Sequence, residues 1–297
     1  MDIKLTNEVV NQSDNGFYNV TGQTDNNNKR GMHVSQLENY WVNHSYTVIK
    51  DSYGDVVRVK PKVLLKYGLT SNADSGVPTT IMTLQGTEVN ETYINTNLID
   101  SVSSSSAANT QPIVIEGHSI SGSALTFVVQ TVSLNGQNRV PLTTALARAT
   151  RAFNNGTTAL VGQTFVYESV AITAGVPNTA SKTHLMIDTD RQQSEKAATA
   201  FSDIDYGLVT SMYAGLSRGA GNTVTADIEL QVREFGKVFR PLMEITLRSS
   251  GSQSELVRFE PYLIVPKNGD IRLVGTSNTN DTQLTGWFNT LIATVQS

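Results

Sequence analysis

The clearest regularity in the chain is strict alternation. In "TVTADIELQVRE", Val224, Ala226, Ile228, Leu230 and Val232 fall on one side of an extended strand, and Thr225, Asp227, Glu229, Gln231 and Arg233 on the other. One side is core and the other is wet. Phe235-Gly236-Lys237 then reads as a turn, and "VFRPLMEITL" as the return strand, with Met243, Ile245 and Leu247 alternating in the same way. After it come "SELVRFEPYLIVP", the turn "KNGD", "IRLVGTS", the polar loop "NTNDTQ" and a closing apolar strand, "GWFNTLIATV", in which Trp287 reads as a core residue. Antiparallel strands in this number and order predict a jelly roll or a related sandwich.

Shorter strand signals with turn residues between them recur upstream, at 56–63, 79–84, 92–99, 113–116 and 126–134. "IVIEG" and "TFVVQTVSLNG" read as neighbouring strands, with Asn135-Gly136 turning the chain. One segment carries a helical pattern. In "VPLTTALARATRAFNNG", Thr143 or Thr144 serves as the cap, Leu142, Leu146 and Ala149 or Phe153 share a face, and Asn155-Gly156 stops it. Residues 193–200 have helix propensity, but "YGLVTSMYAGL" after them is strand-like, so the stretch is expected to enter the second domain extended. The glycine-rich "GLSRGAG" that follows lacks a Gly-Lys-Ser/Thr ending and reads as a hairpin loop. The expected class is all-β: two β-sandwich or jelly-roll-like domains, at 51–188 and 189–297, behind an N-terminal arm at 1–50. The arm holds the polar patch "TDNNNKRG" and then Leu37 and the aromatic anchors Tyr40 and Trp41, which are expected to bind a partner.

Composition narrows the function classes. The chain has 297 residues, room for two cores. Only 16% are charged, the net charge is −4, and basic residues are scattered singly. Direct contact with nucleic acid, which needs concentrated Lys and Arg, is not expected. There is no cysteine, and hence no disulfide, thiolate metal site or cysteine nucleophile. Neither the opening "MDIKLTNEVV" nor any later window carries an export signal or an 18-residue apolar run, so no membrane span is expected.

Chemistry is sparse. His33, His44, His118 and His184 lie at no metal-ligand spacing from one another, and no Gly-x-Ser-x-Gly turn occurs. Acids cluster at Asp188 and Asp190, at Asp203 and Asp205, and near Asp281, without the spaced ligand series of a calcium loop. No catalytic residue, metal site or cofactor is expected, and the chain reads as a binding protein and not an enzyme.

Two stretches resemble a known family. They are "SSSSAANTQPIVIEGHSISGSALTFVVQTVSLNGQNRVPL" and "PYLIVPKNGDIRLVGTSNTNDTQLTGWFNTLIA", with Leu134-Asn135-Gly136, Pro266, Asp270-Ile271-Arg272-Leu273 and Gly286-Trp287-Phe288 at the matching places. Over roughly residues 95–297 the chain resembles tailed-bacteriophage virion structural proteins, although Gly269 stands where that pattern often has Ser. The resemblance implies an auxiliary capsid protein, a cement or decoration subunit on the virion surface that is assembled in the host cytoplasm. Its implied partners are the major capsid protein, further copies of itself as a dimer or trimer, and a head fibre. The alternative it leaves open is a head-fibre or tail-associated module that binds a receptor glycan.

Overall fold

The computed structural model describes residues 9–13, 16–20, 47–50, 56–59, 62–82, 93, 95–217 and 223–294. Two hairpins come first, β1 (Val9–Ser13) with β2 (Gly16–Val20), and β3 (Thr47–Lys50) with β4 (Val56–Val59). Then follow β5 (Lys62–Ala73), β6 (Thr79–Thr80), β7 (Ile99–Ser104), β8 (Pro112–Ser121), β9 (Ala124–Ser133), β10 (Val140–Leu146), β11 (Arg148–Asn154) and β12 (Thr164–Glu168). A small hairpin of β13 (Ile172–Thr173) and β14 (Val176–Pro177) leads to β15 (Thr183–Ile187), β16 (Gln193–Glu195) and β17 (Ala198–Ala200). The last strands are β18 (Asp205–Ser217), β19 (Val224–Arg233), β20 (Arg240–Ser249), β21 (Ser252–Val265), β22 (Asp270–Ser277) and β23 (Thr282–Thr294). The fold is all-β, and the described ladders between strands are antiparallel.

Two sandwiches result. The first packs the sheet β10-β7-β12-β15 on the sheet β16-β11-β8-β9. Its core is built from Ile99, Val102, Ile113, Ile115, Leu146, Ala152, Val166 and Leu185 of both sheets. The second packs β17-β22-β19-β20, with β6 added beside β22, on β21-β18-β23-β5. Its core is larger, and Ile228, Leu230, Leu247, Met212, Leu273, Leu284 and Phe288 are buried in it. Val224, Ala226, Ile228 and Leu230 all point inward, as their alternation predicts. Residues 62–82 precede the first sandwich in the chain but pair within the second: β5 runs along β23 and β6 along β22.

The segment with the helical pattern is two strands, β10 and β11, with Ala147 between them. Its Thr-rich middle favours extended backbone. Leu142, Leu146, Ala149 and Ala152 still reach the core, but from two strands and not from one helical face. The amide of Gln130 fixes this arrangement by accepting from Thr144 N (3.0 Å) and donating to Thr144 O (2.8 Å), as a neighbouring strand would. Residues 193–200 are extended, in β16 and β17. β18 and β19 belong to different sheets and so do not form the expected hairpin; residues 218–222 between them lie outside the described residues. β8 and β9 pair over ten residues, turned at Gly122, whose φ of 62° suits glycine. The Asn135-Gly136 turn carries the chain on toward β10.

Candidate binding face and the seam between the sandwiches

Leu37, Tyr40 and Trp41, with His33 and His44, lie outside the described residues. Of the clustered acids, Asp188 and Asp205 bond within the fold. Asp188 Oδ1 accepts from Thr189 N at 2.9 Å, and Asp205 Oδ1 from Thr294 Oγ1 at 2.6 Å. His184 is buried with Nε2 3.2 Å from Glu168, a carboxylate that also takes Lys182 Nζ at 2.6 Å. Among the described residues no three His, Cys, Asp or Glu gather where they could hold a metal ion.

Two arrangements stand out, and the first is a sheet face. Alternation on the β21-β18-β23-β5 sheet turns the rung Lys66–Phe288–Met212–Val257 toward the core. The opposite side carries three rungs: Leu65–Asn289–Ser211–Arg258, Tyr67–Trp287–Tyr213–Leu256, and Leu69–Thr285–Gly215–Ser254. Trp287 is therefore not a core residue. The side chain that fills the core is its neighbour Phe288, which is fully buried. Trp287 lies nearly parallel to Tyr213, with ring centroids 5.8 Å apart and planes at 8°. Leu65 and Leu256, at the two margins, are about half exposed (53% and 50%). Arg258 is the single charged side chain among these twelve positions. The face has an aromatic centre, polar flanks and almost no charge, the pattern found where proteins meet.

The second arrangement is ionic and lies where the sandwiches touch. Glu116, Arg151 and Glu195 form one rung on the outer side of the β16-β11-β8-β9 sheet, and Phe127, His118 and Arg148 form the next. The second sandwich packs against both rungs and buries His118, Arg148 and Glu195, while Phe127 stays 43% exposed. Lys66 Nζ of β5 stands 3.4 Å from Glu195 Oε1, and Arg151 contacts Glu116 (3.3 Å) and Glu195 (3.7 Å). Burial works against both charges of the Lys66–Glu195 pair, holding the ammonium below its usual range and the carboxyl above its own. In the next rung, Arg148 donates to fully buried Asp270 through Nε (2.8 Å) and Nη2 (3.1 Å), and Arg233 Nε donates to the same carboxylate at 2.7 Å. The rings of Tyr93 and Phe239 pack edge to face beside these guanidinium groups. Tyr67 reaches across as well, its hydroxyl accepting from Gln193 Nε2.

His118 sits inside this seam and is 3% exposed. It meets the edge of the Phe127 ring at 5.3 Å, and its Nδ1 has no hydrogen-bond partner among the described residues. Burial, with Arg148 and Lys66 nearby, pushes its pKa down to about 3. Sequence reasoning saw an isolated histidine and scattered single charges. Only the strand pairing brings residues 66, 116, 118, 148, 151, 195, 233 and 270 together.

No family model matches the chain, and no curated protein matches it. Among solved structures it is similar to the VP2 subviral particle of infectious bursal disease virus, at 13% identity over 81% of this chain and 73% of that one, with a TM-score of 0.20. The Gx strain of the same virus gives 10% identity over 80% and 73%, with a TM-score of 0.21. Superposition this slight assigns no role to any residue of this chain.

Proposed function

We propose that this chain is a structural component of a bacteriophage virion that acts by adhesion: a cement or decoration protein that binds and stabilises the shell of the major capsid protein. The observation that carries the reading is the charge-poor aromatic face on a stiff four-stranded sheet. With strands about 4.8 Å apart and rungs about 6.7 Å apart, four strands by three rungs cover roughly 400 Å². A standard interface takes about 800 Å² from each partner. One such face thus makes half a contact, which suits a subunit held on a shell by several neighbours and repeated in many copies. Placing few charges there keeps the desolvation cost of contact low.

Tyr213 and Trp287, with centroids 5.8 Å apart and planes at 8°, form one aromatic pair on this face; the alternative, a head-fibre or tail-associated module that binds a receptor glycan, is separated from the adhesive reading by where label falls on the virion. In the adhesive reading, Leu37, Tyr40 and Trp41 of the arm add a second grip, and deleting residues 1–45 weakens shell binding while leaving the sandwiches folded.

The test is cosedimentation with purified shells of the cognate phage, together with immunogold labelling of virions. Trp287→Ser and Leu256→Ser proteins should fold as the wild type does and bind shells at least tenfold more weakly. Label should cover the head. Undiminished binding by both variants, or label confined to the tail, overturns the proposal.

A further inference from the structure

The join between the two sandwiches carries buried ionic groups along β5 and the start of β22, beside a small apolar contact of Met82 with Phe165, Tyr167 and Met186. A mixed interface of this kind permits relative motion more readily than a large hydrophobic one. His118, on β8, is enclosed there by groups that oppose its protonation. Arg148 of β11 is its rung neighbour, and Lys66 of β5 bears on it across the seam. Lys62 of β5 lies 5.4 Å over the Phe127 ring that His118 packs against. The nearby carboxylates are already engaged: Asp270 of β22 by Arg148 and by Arg233 of β19, Glu195 of β16 by Lys66 and Arg151, and Glu116 of β8 by Arg151. An imidazolium formed in the closed seam would meet cations with no free counter-charge among the described residues.

We infer that the seam is an acid-operated joint, in which protonation of His118 parts the first sandwich from β5 and the start of β22. In the parted form the imidazole reaches water and takes a proton with an ordinary pKa near 6.5, whereas in the closed form it does so only at about 3. The parted form therefore binds more protons throughout that window, and acid favours it. Below pH 6.5 the opening equilibrium rises about tenfold per unit, which is about 30-fold at pH 5.

Two neighbours modify this. Lys66, depressed by burial, acts in the same direction over its own range. Glu195, whose carboxyl is raised, acts the other way, because its closed form takes up a proton more readily. The share due to His118 is the part that disappears when the imidazole is replaced.

The experiment is hydrogen–deuterium exchange of the full chain at pH 7.5 and pH 5.0, corrected for intrinsic exchange. The amides of Leu125 and Asp203, which bond across the join to Asn268 Oδ1 and to the carbonyl oxygen of Leu125, are followed as the seam amides against those of β18 and β23. In the wild type, protection of the seam amides should fall on acidification, with about 30-fold of the change due to His118, while the core strands hold theirs. His118→Asn and His118→Gln, two neutral replacements of different length, should remove most of that fall. The inference is overturned if seam protection is the same at both pH values, or if it falls equally in whichever variants fold. Should neither variant fold, the wild-type His118 ring protons decide by NMR: a neutral ring in the closed form down to pH 5 supports the joint, and titration near 6.5 without opening refutes it.

Discussion

Replacing Asp270 with Asn tests whether the seam is a strong tie or a neutral one. The carboxylate is fully buried and accepts three charge-assisted hydrogen bonds, two from Arg148 and one from Arg233, at 2.7–3.1 Å. Asparagine keeps the shape but removes the charge and turns an NH2 group toward a guanidinium. Arg148, whose side chain is 2% exposed and which keeps its bond to Ala147 O, and Arg233, at 9%, are then left as buried cations facing one shared amide oxygen in place of a carboxylate. Breaking a buried pair in this manner costs about 3–5 kcal/mol, most of it the penalty on the charges left behind. At a few degrees per kcal/mol for a chain of this size, the melting temperature should drop by about 10 °C. Calorimetry and urea unfolding followed by circular dichroism measure it. Removing the whole knot, with Arg148→Met, Arg233→Met and Asp270→Leu together, should recover most of the loss, since no charge is then stranded. If Asp270→Asn stays within about 1 kcal/mol of the wild type, the reasoning fails: water must then reach the site and supply what the carboxylate did.

Gly68→Ala should be among the most damaging single changes. Its Cβ would stand 2.1 Å from the carbonyl oxygen of Ile81 and 3.0 Å from Ala197 N, both backbone atoms, so soluble yield should collapse or stability fall by more than about 3 kcal/mol. Ile228→Ala, in the middle of the second core, should lower the urea-derived stability by about 2–5 kcal/mol through the cavity it leaves. Gln130→Ala should cost about 1–2 kcal/mol, because Thr144 loses partners for both its backbone N–H and its carbonyl; exchange at Thr144 N–H should quicken in the same variant.

The second sandwich was legible in the sequence because two neighbouring strands of one sheet have one dry side and one wet side. β19 and β20 show this at every position from Val224 to Leu230 and from Met243 to Leu247. Legibility failed where both sides of a strand are apolar. In "GWFNTLIATV" the core takes Phe288 and the outer face takes Trp287, so periodicity alone cannot say which of two adjacent aromatic residues faces inward. It failed again at residues 142–153, where small and apolar residues at helical spacing are also compatible with two short strands meeting at Ala147. What settles that case is Gln130, whose bonds to Thr144 depend on a pairing made elsewhere in the fold.

The seam failed to announce itself for a different reason. Along β8, Val114, Glu116 and His118 alternate with Ile113, Ile115 and Gly117, and a mixed polar side of that kind reads as a side facing water. A second sandwich built from residues before and after the first covers it instead. Alternation reports that one side of a strand is polar, but it cannot distinguish water from a polar neighbour, because each satisfies Glu116 and Arg151 equally well. The difference emerges only in groups that water would have served better. Lys66, Glu195 and His118 are each pushed by burial toward their uncharged forms, which a solvated strand face would not do. Those same groups make the join dependent on pH while the two apolar cores are not, so the point at which this chain should yield first to acid is the boundary between its sandwiches.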